Sequence, residues 1–275
     1  MTSPIRRAAL GALLCLLVSP ARSAAQAAPD SLRVPILVYH NIEPWPGGKP
    51  TAALDLTMRP EAFAAQMRYL AEHKIPVVSM TALLDALEGK RTLPPKAVVI
   101  TFDDGRVNQF NNAVPTLRKH GFTATFFPFV HAQDRNPRYF TWAQFREVMA
   151  AGMSVGSHGV LHVRVDKVTG AKLHEEVTGS RETLRAKLGA PATEFYSYPF
   201  GALAAAGDSA VRAAGYRAAR AYGGGPWNST RTRWRLRSVP NSTVRVPPRT
   251  PGGAVPPLIC TVTCGRFELF SGTLS

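Results

Sequence analysis

An α/β fold built on parallel strands is the class this sequence predicts, and two observations carry it. Short apolar segments alternate with amphipathic ones along most of the chain, the signature of repeated strand–helix–strand units. The residues whose chemistry stands out each fall just past one of those apolar segments. In α/β barrels that end of the strands carries the active site. Alternation alone leaves an open doubly wound sheet and a barrel both standing.

Residues 34–39, 77–79, 97–102, 123–130, 153–157 and 195–198 read as short strands. Between them, residues 60–73 put Phe63, Met67 and Leu70 on one helical face, with Pro60 suited to a first turn. Residues 111–120, 141–151 and 171–188 are further helices. The last aligns Leu173, Val177, Leu184 and Leu188 and stops at Gly189. A late helix over 204–214 ends at Gly215. Beyond Pro240 no period is sustained: residues 241–275 are rich in Pro, Gly, Thr and Arg, and 246–253 read as a linker or flexible tail.

The 275 residues suit one large domain with extensions. Arg6 and Arg7 precede an apolar run over 8–18 and the small-residue site Ala25-Gln26-Ala27, which reads as a secretory signal over 1–28. That run is short for a membrane span. The main domain then covers 29–240. Cys15 follows Leu14, where a lipoprotein signal wants a small residue, so no lipid anchor is expected there. The remaining Cys260 and Cys264 suffice for a small disulfide but make no metal site. The net charge of +15 falls to about +12 once Arg6, Arg7 and Arg22 leave with the signal. Such a charge favours an anionic cell-envelope surface as partner; a solvated basic surface with no specific partner is the other reading. Export argues against nucleic acid, and the expected location is secreted, periplasmic or in the cell envelope. Gly223-Gly224-Gly225 lacks the Lys-Ser/Thr of a phosphate-binding loop.

The chemistry concentrates in two places. The apolar run 97–102 ends in Asp103-Asp104-Gly105. Adjacent carboxylates repel, so one protonates, pairs with a cation or binds a metal; an acidic turn with Gly105 at positive φ is the plain alternative. About fifty residues on, His158 and His162 lie four apart, which is metal-ligand spacing on a helical turn. A carboxylate with two imidazoles leaves coordination positions open, as a catalytic metal site requires.

Thr101-Phe102-Asp103-Asp104-Gly105 followed by that histidine pair resembles the polysaccharide deacetylase family, the NodB homology domain of carbohydrate esterase family 4. Val38-Tyr39-His40, Ala124-Thr125-Phe126-Phe127, Gly152-Met153-Ser154-Val155-Gly156-Ser157-His158 and Tyr198-Pro199-Phe200-Gly201 add to the resemblance, in order, from about Val34 to about Pro240. The Tyr-His and Tyr-Pro-Phe-Gly fragments resemble the branch acting on poly-N-acetylglucosamine. The resemblance implies a distorted, incomplete (β/α) barrel and a hydrolase that removes N-acetyl groups from an N-acetylglucosamine-containing polysaccharide. It also implies Asp103 as catalytic base and Asp104, His158 and His162 as ligands of a divalent metal. Aspartate and imidazole suit Zn²⁺ best and tolerate Co²⁺, Ni²⁺ or Mn²⁺. The backbone N–H of Phe200, in the counterpart of the family's Pro-Tyr-Gly run, is the implied oxyanion donor. A plain Pro-Phe-Gly turn is the other reading of that fragment.

Four departures from the family pattern stand out. Gly159 replaces the usual Ser or Thr, and Val163 the usual Pro, which loosens the loop expected to orient the imidazoles. Ser197 stands where an arginine orienting the base is common, and no histidine follows His174 to serve as the late general acid. His40 is the substitute acid, with a structural histidine capping the first strand as its alternative. Trp142 reads as core, while Trp227 and Trp234 are candidates for stacking on sugar rings. Two competing functions remain: an O-acetyl esterase on a xylan-like polymer, and a catalytically silent carbohydrate-binding envelope protein.

Overall fold

The computed structural model describes residues 31–45 and 56–241, together with the backbone of 244–245, 259–262 and 265–268. The expected signal over 1–28, Cys15, Cys264 and the linker over 246–253 lie outside the described residues.

Seven parallel strands form the centre: β1 (Ile36–Tyr39), β2 (Val99–Asp104), β3 (Thr125–Pro128), β4 (Ser154–Val155), β5 (Phe195–Ser197), β6 (Ala218–Gly224) and β7 (Leu236–Pro240). In space they run β4-β3-β2-β1-β7-β6-β5. The two edge strands approach each other: Ser157 N–H donates to Phe195 O, Ser197 N–H donates to Ser157 O, and Ser157 bridges Tyr196 in parallel. Two short edges meeting through one bridge make the distorted, incomplete barrel that the resemblance implied.

Strand periodicity divides the core. Leu37, Tyr39, Ile100, Phe102 and Phe126 face outward onto α1 (Pro60–Glu72), α3 (Val114–His120) and α4 (Trp142–Ala150). There Tyr39, Phe102 and Phe126 stack from strand to strand at 5.3 and 4.9 Å. Ile36, Val99, Phe127, Phe195, Ala218 and Leu236 instead pack with Met80, Leu83, Leu84 and Leu87 of α2 (Met80–Leu87). Apart from Phe127, which pairs with Asp103 near the mouth, the strand residues of that second cluster come from the N-terminal ends of the strands. The same inward register continues upward from Val99 through Thr101 to Asp103, so that face turns from apolar to charged towards the C-terminal mouth.

Most expected elements stand, with four corrections. Residues 77–79 are not a strand; Val77 makes a single bridge to Val98, and Ser79 caps α2 by accepting the Ala82 N–H at 3.0 Å. Two valines read as β, yet a serine followed by an apolar octet is a helix start. The strand expected over 97–102 runs to Asp104, so the carboxylates are its last two residues. β6 and β7 were not expected: Ala and Gly dilute one, and Arg237 and Ser238 interrupt the other. The helix expected over 171–188 is α5 (Gly170–His174), a π-turn (Glu175–Gly179) and α6 (Ser180–Leu188). The late helix α7 (Ala205–Ala213) lies within its expected bounds.

Pro240 pairs with Val38 inside the barrel, and Asn241 is buried. Beyond them, Val244–Arg245, Ile259–Val262 and Gly265–Glu268 form a separate antiparallel sheet. No helix among the described residues is long and apolar enough to cross a membrane.

Candidate active site

Extended backbone would send the adjacent side chains of Asp103 and Asp104 to opposite faces of β2. It does not do so here because Asp104 has φ +73° and Gly105 φ +68°, turning the chain at the mouth of the barrel. Gly105 has no alternative: a Cβ there would sit 2.8 Å from Pro128 Cβ. Both carboxylates end up buried. Of the six non-glycine residues with positive φ among the described residues, three are Asp104, His162 and Phe200. Strained backbone of this kind persists only where its surroundings over-determine it.

His158 and His162 meet Asp104 from a loop rather than the expected helical turn, bent by Gly159 at φ +86° and His162 at φ +60°. Nε2 of His158 lies 3.7 Å, and Nε2 of His162 3.4 Å, from Asp104 Oδ1. One ligand atom from each of the three residues falls within a 4.8 Å spread. Two features fit this trio to a divalent cation. Asp104 Oδ1 is buried with no hydrogen-bond donor, an expensive state for a carboxylate oxygen unless a cation completes it. His158 Nδ1 lies 2.7 Å from the Ser197 carbonyl, which sets that nitrogen as the N–H and leaves Nε2 as the ligand atom. Burial, followed by the neighbouring His158, lowers the His162 pKa from 6.5 to about 4 against the pull of Asp104 and Asp103. A neutral imidazole is the form that ligates.

Asp103 is secured differently. Arg220 Nη2 donates to both of its carboxylate oxygens, and Ser197 Oγ donates to Oδ1 at 3.3 Å. Ser197 and Arg220 are register partners on β5 and β6, so their side chains emerge together; Arg220 Nη2 also donates to Ser197 Oγ at 2.6 Å. The guanidinium lies 5.5 Å over the Phe127 ring, the residue paired with Asp103 on β3. Burial raises the Asp103 carboxyl, but Arg220, His158 and His40 outweigh it and hold the group well below the usual carboxylate range. The cation missing at Ser197 is therefore supplied by the neighbouring strand. Sequence reading passed over Arg220, although a lone arginine among Ala218, Ala219 and Ala221 is a signal: so small an apolar strand seldom carries an unpaired charge.

His40 follows β1 and points Nε2 at Asp103 Oδ2 from 3.8 Å, with its Nδ1 buried and without a partner. Burial lowers its pKa against the opposing carboxylates Asp103 and Asp104. Gln109, fully buried in the π-turn Gln109–Ala113, donates through Nε2 to the carbonyls of His40 (2.8 Å) and Asp103 (2.6 Å). It locks the two strand ends together, another role that sequence reading missed. Phe200, a 60% exposed residue, sits in the turn Pro199–Gly201 at φ +58°, its ring 4.5 Å from that of His162. Tyr222 comes up beside His40, at 5.7 Å between rings. Trp142 is buried as expected. Trp227 is exposed but pairs with Arg33, before the N-terminal end of β1, so it does not rim this mouth. Trp234 is half-buried beneath Arg212 and Arg233.

With the geometry in view, likeness to known proteins has a structural footing. Residues 90–219 match the family profile described as polysaccharide deacetylase. Over these residues the chain carries a polysaccharide deacetylase domain. YxkH of Bacillus subtilis (strain 168), named for polysaccharide deacetylation, is 27% identical over 169 residues, 62% of this chain and 57% of that protein. The poly-beta-1,6-N-acetyl-D-glucosamine N-deacetylase of Escherichia coli (strain K12) is 31% identical over 107 residues, 34% of this chain and 16% of that one. The chain thus spans little more than half of the first relative and a small part of the second. Streptococcus pyogenes deacetylase PplD, solved with acetate, shares the fold of the deacetylase domain at a TM-score of 0.69 and 22% identity. That match covers 76% of this chain and 92% of PplD. The profile match holds Asp103, Asp104, His158, His162 and Phe200, while His40 and Arg220 fall outside it.

Proposed function

We propose that the chain is an exported, metal-dependent hydrolase that removes N-acetyl groups from an N-acetylglucosamine-containing polysaccharide. One observation carries the reading: a buried, donor-less Asp104 oxygen faces two imidazoles, beside a second aspartate clamped by Arg220. A divalent ion held by Asp104, His158 and His162, with Zn²⁺ suited best, would supply Lewis-acid polarisation of the acetyl carbonyl.

The protein's own groups do the rest. Asp103 stays ionised because Arg220 and its neighbours favour the anion, so it can take a proton from an attacking water. Water's oxygen joins the acetyl carbon as the carbon–nitrogen bond breaks. His40, whose Nε2 lies 3.8 Å from Asp103 Oδ2, would take that proton over from Asp103 and deliver it to the departing amine, giving acetate and a free amino sugar. The Phe200 N–H stands as donor to the carbonyl oxygen as charge develops there. The exposed Phe200 and Tyr222 rings offer apolar faces at the mouth, suited to a sugar ring. The E. coli relative's name supports poly-β-1,6-linked N-acetylglucosamine as the first polymer to test.

Acetate release from poly-β-1,6-N-acetylglucosamine, chitooligosaccharides, peptidoglycan and acetylxylan tests the proposal. Release from one of the N-acetylated polymers, well above that from acetylxylan, is the expected result. Preference for acetylxylan would make the chain an O-acetyl esterase, and no release from any would favour a carbohydrate-binding protein.

A further inference from the structure

The loop carrying both histidines is held from two sides. From the barrel, Val130 and His131 donate backbone N–H groups to the carbonyls of Gly159 and Val160, each at 3.0 Å. From the helical layer comes Glu176, only 1% exposed, projected by the π-turn Glu175–Gly179. Its Oε2 accepts the Val160 N–H at 2.9 Å, and its two oxygens share the Leu161 N–H at 3.2 and 3.1 Å. These are the amides between the two histidines, immediately before His162 and its left-handed backbone. His158 is independently fixed, by Ser197 O on its ring and Pro128 O on its amide. On the His162 side the loop is held by His131 through the Val160 carbonyl and by Glu176 through the Val160 and Leu161 N–H groups, and among the described hydrogen bonds only Glu176 reaches Leu161, the residue next to His162.

Gly159 belongs to the same device. An ideal Cβ at that position would stand 2.9 Å from Glu176 Oε2. The glycine that departs from the family pattern therefore leaves room for a buried carboxylate beneath the loop.

We propose that Glu176 is a positioning residue for the metal site: its buried carboxylate clamps the amides of Val160 and Leu161 and so aims His162 at Asp104. This rests on reading Asp104, His158 and His162 as metal ligands. A carboxylate is acceptor-only on both oxygens, whereas a glutamine would turn an NH₂ towards one of these N–H groups. Groups that orient ligands in this way commonly contribute 10- to 100-fold in metal affinity.

Full-length wild type, Glu176→Gln and Glu176→Ala are each freed of metal and titrated with Co²⁺ alone. Binding and the visible absorption spectrum of bound Co²⁺ are recorded, with circular dichroism of the metal-free proteins as the check on folding. The expected result is a loss of about 10- to 100-fold in Co²⁺ affinity with an altered spectrum, in proteins whose metal-free dichroism matches wild type. Whichever variant keeps its metal-free fold carries the measurement. A merely structural role would lower metal-free stability while leaving affinity and spectrum of the folded protein intact, and that result overturns the inference. Wild-type protein that takes up no Co²⁺ would instead contradict the metal-site reading itself, and this inference with it.

Discussion

Arg220 and Asp103 form a fully buried ion pair whose members lie 117 residues apart, and the candidate base depends on it. Asp103→Asn keeps size but cannot accept a proton, so metal should stay bound while turnover falls by roughly 10²–10⁴-fold. Elemental analysis beside acetate release checks this; loss of metal would move Asp103 into the ligand set. Arg220→Met leaves a buried carboxylate uncompensated and should cost about 3–5 kcal/mol of stability, measured by denaturant unfolding. An unchanged midpoint would mean that water or Ser197 satisfies Asp103. The His162 imidazole gives a pH signature in the metal-free protein. Its folded pKa, about 4, lies below the unfolded 6.5, so the unfolded state holds more protons in between. Stability should therefore fall as pH drops from 6.5 towards 4. His162→Gln should flatten that slope, and an identical slope would refute the assignment. Asp103, Asp104, His158 and His162 were legible in the sequence because motif and spacing are local. Arg220 was not, since its meaning comes from strand register across the barrel.

At the scale of elements, several of the candidate groups sit where a regular element breaks. β2 ends through Asp104 and Gly105, the histidine loop bends at Gly159 and His162, and π-turns project Gln109 and Glu176. Gly105→Ala combines unfavourable φ with the 2.8 Å approach to Pro128, and should destabilise by more than about 1 kcal/mol. Thermal melting checks it; an unchanged midpoint would show that the turn can relax without harm. Helical periodicity exposed α1, α4 and the long α5–α6 segment in the sequence, because each buries one continuous apolar stripe. α2 escaped because valines precede its serine cap. The π-turns escaped because one inserted residue scarcely disturbs a helical pattern.

For the whole molecule, the α/β class was legible from alternation and the incomplete barrel from the family resemblance; alternation alone leaves closure open, because closure rests on the Ser157–Tyr196 bridge between strands distant in sequence. Asn241, one residue past the expected boundary at Pro240, is buried. A chain ended after Asn241 should keep its melting temperature and acetate release, because the small sheet beyond pairs with itself. A large loss of either would mean that this sheet braces the barrel. The central claim is that Asp104, His158 and His162 hold a divalent ion on which deacetylation by Asp103 depends. Acetate release by purified protein from poly-β-1,6-N-acetylglucosamine, before chelation, after it, and after Zn²⁺ or Co²⁺ is restored, tests that claim most directly. The account predicts activity that chelation abolishes and metal restores in wild type but not in Asp104→Ala. Acetate release that persists undiminished in the chelated, metal-free protein would contradict it.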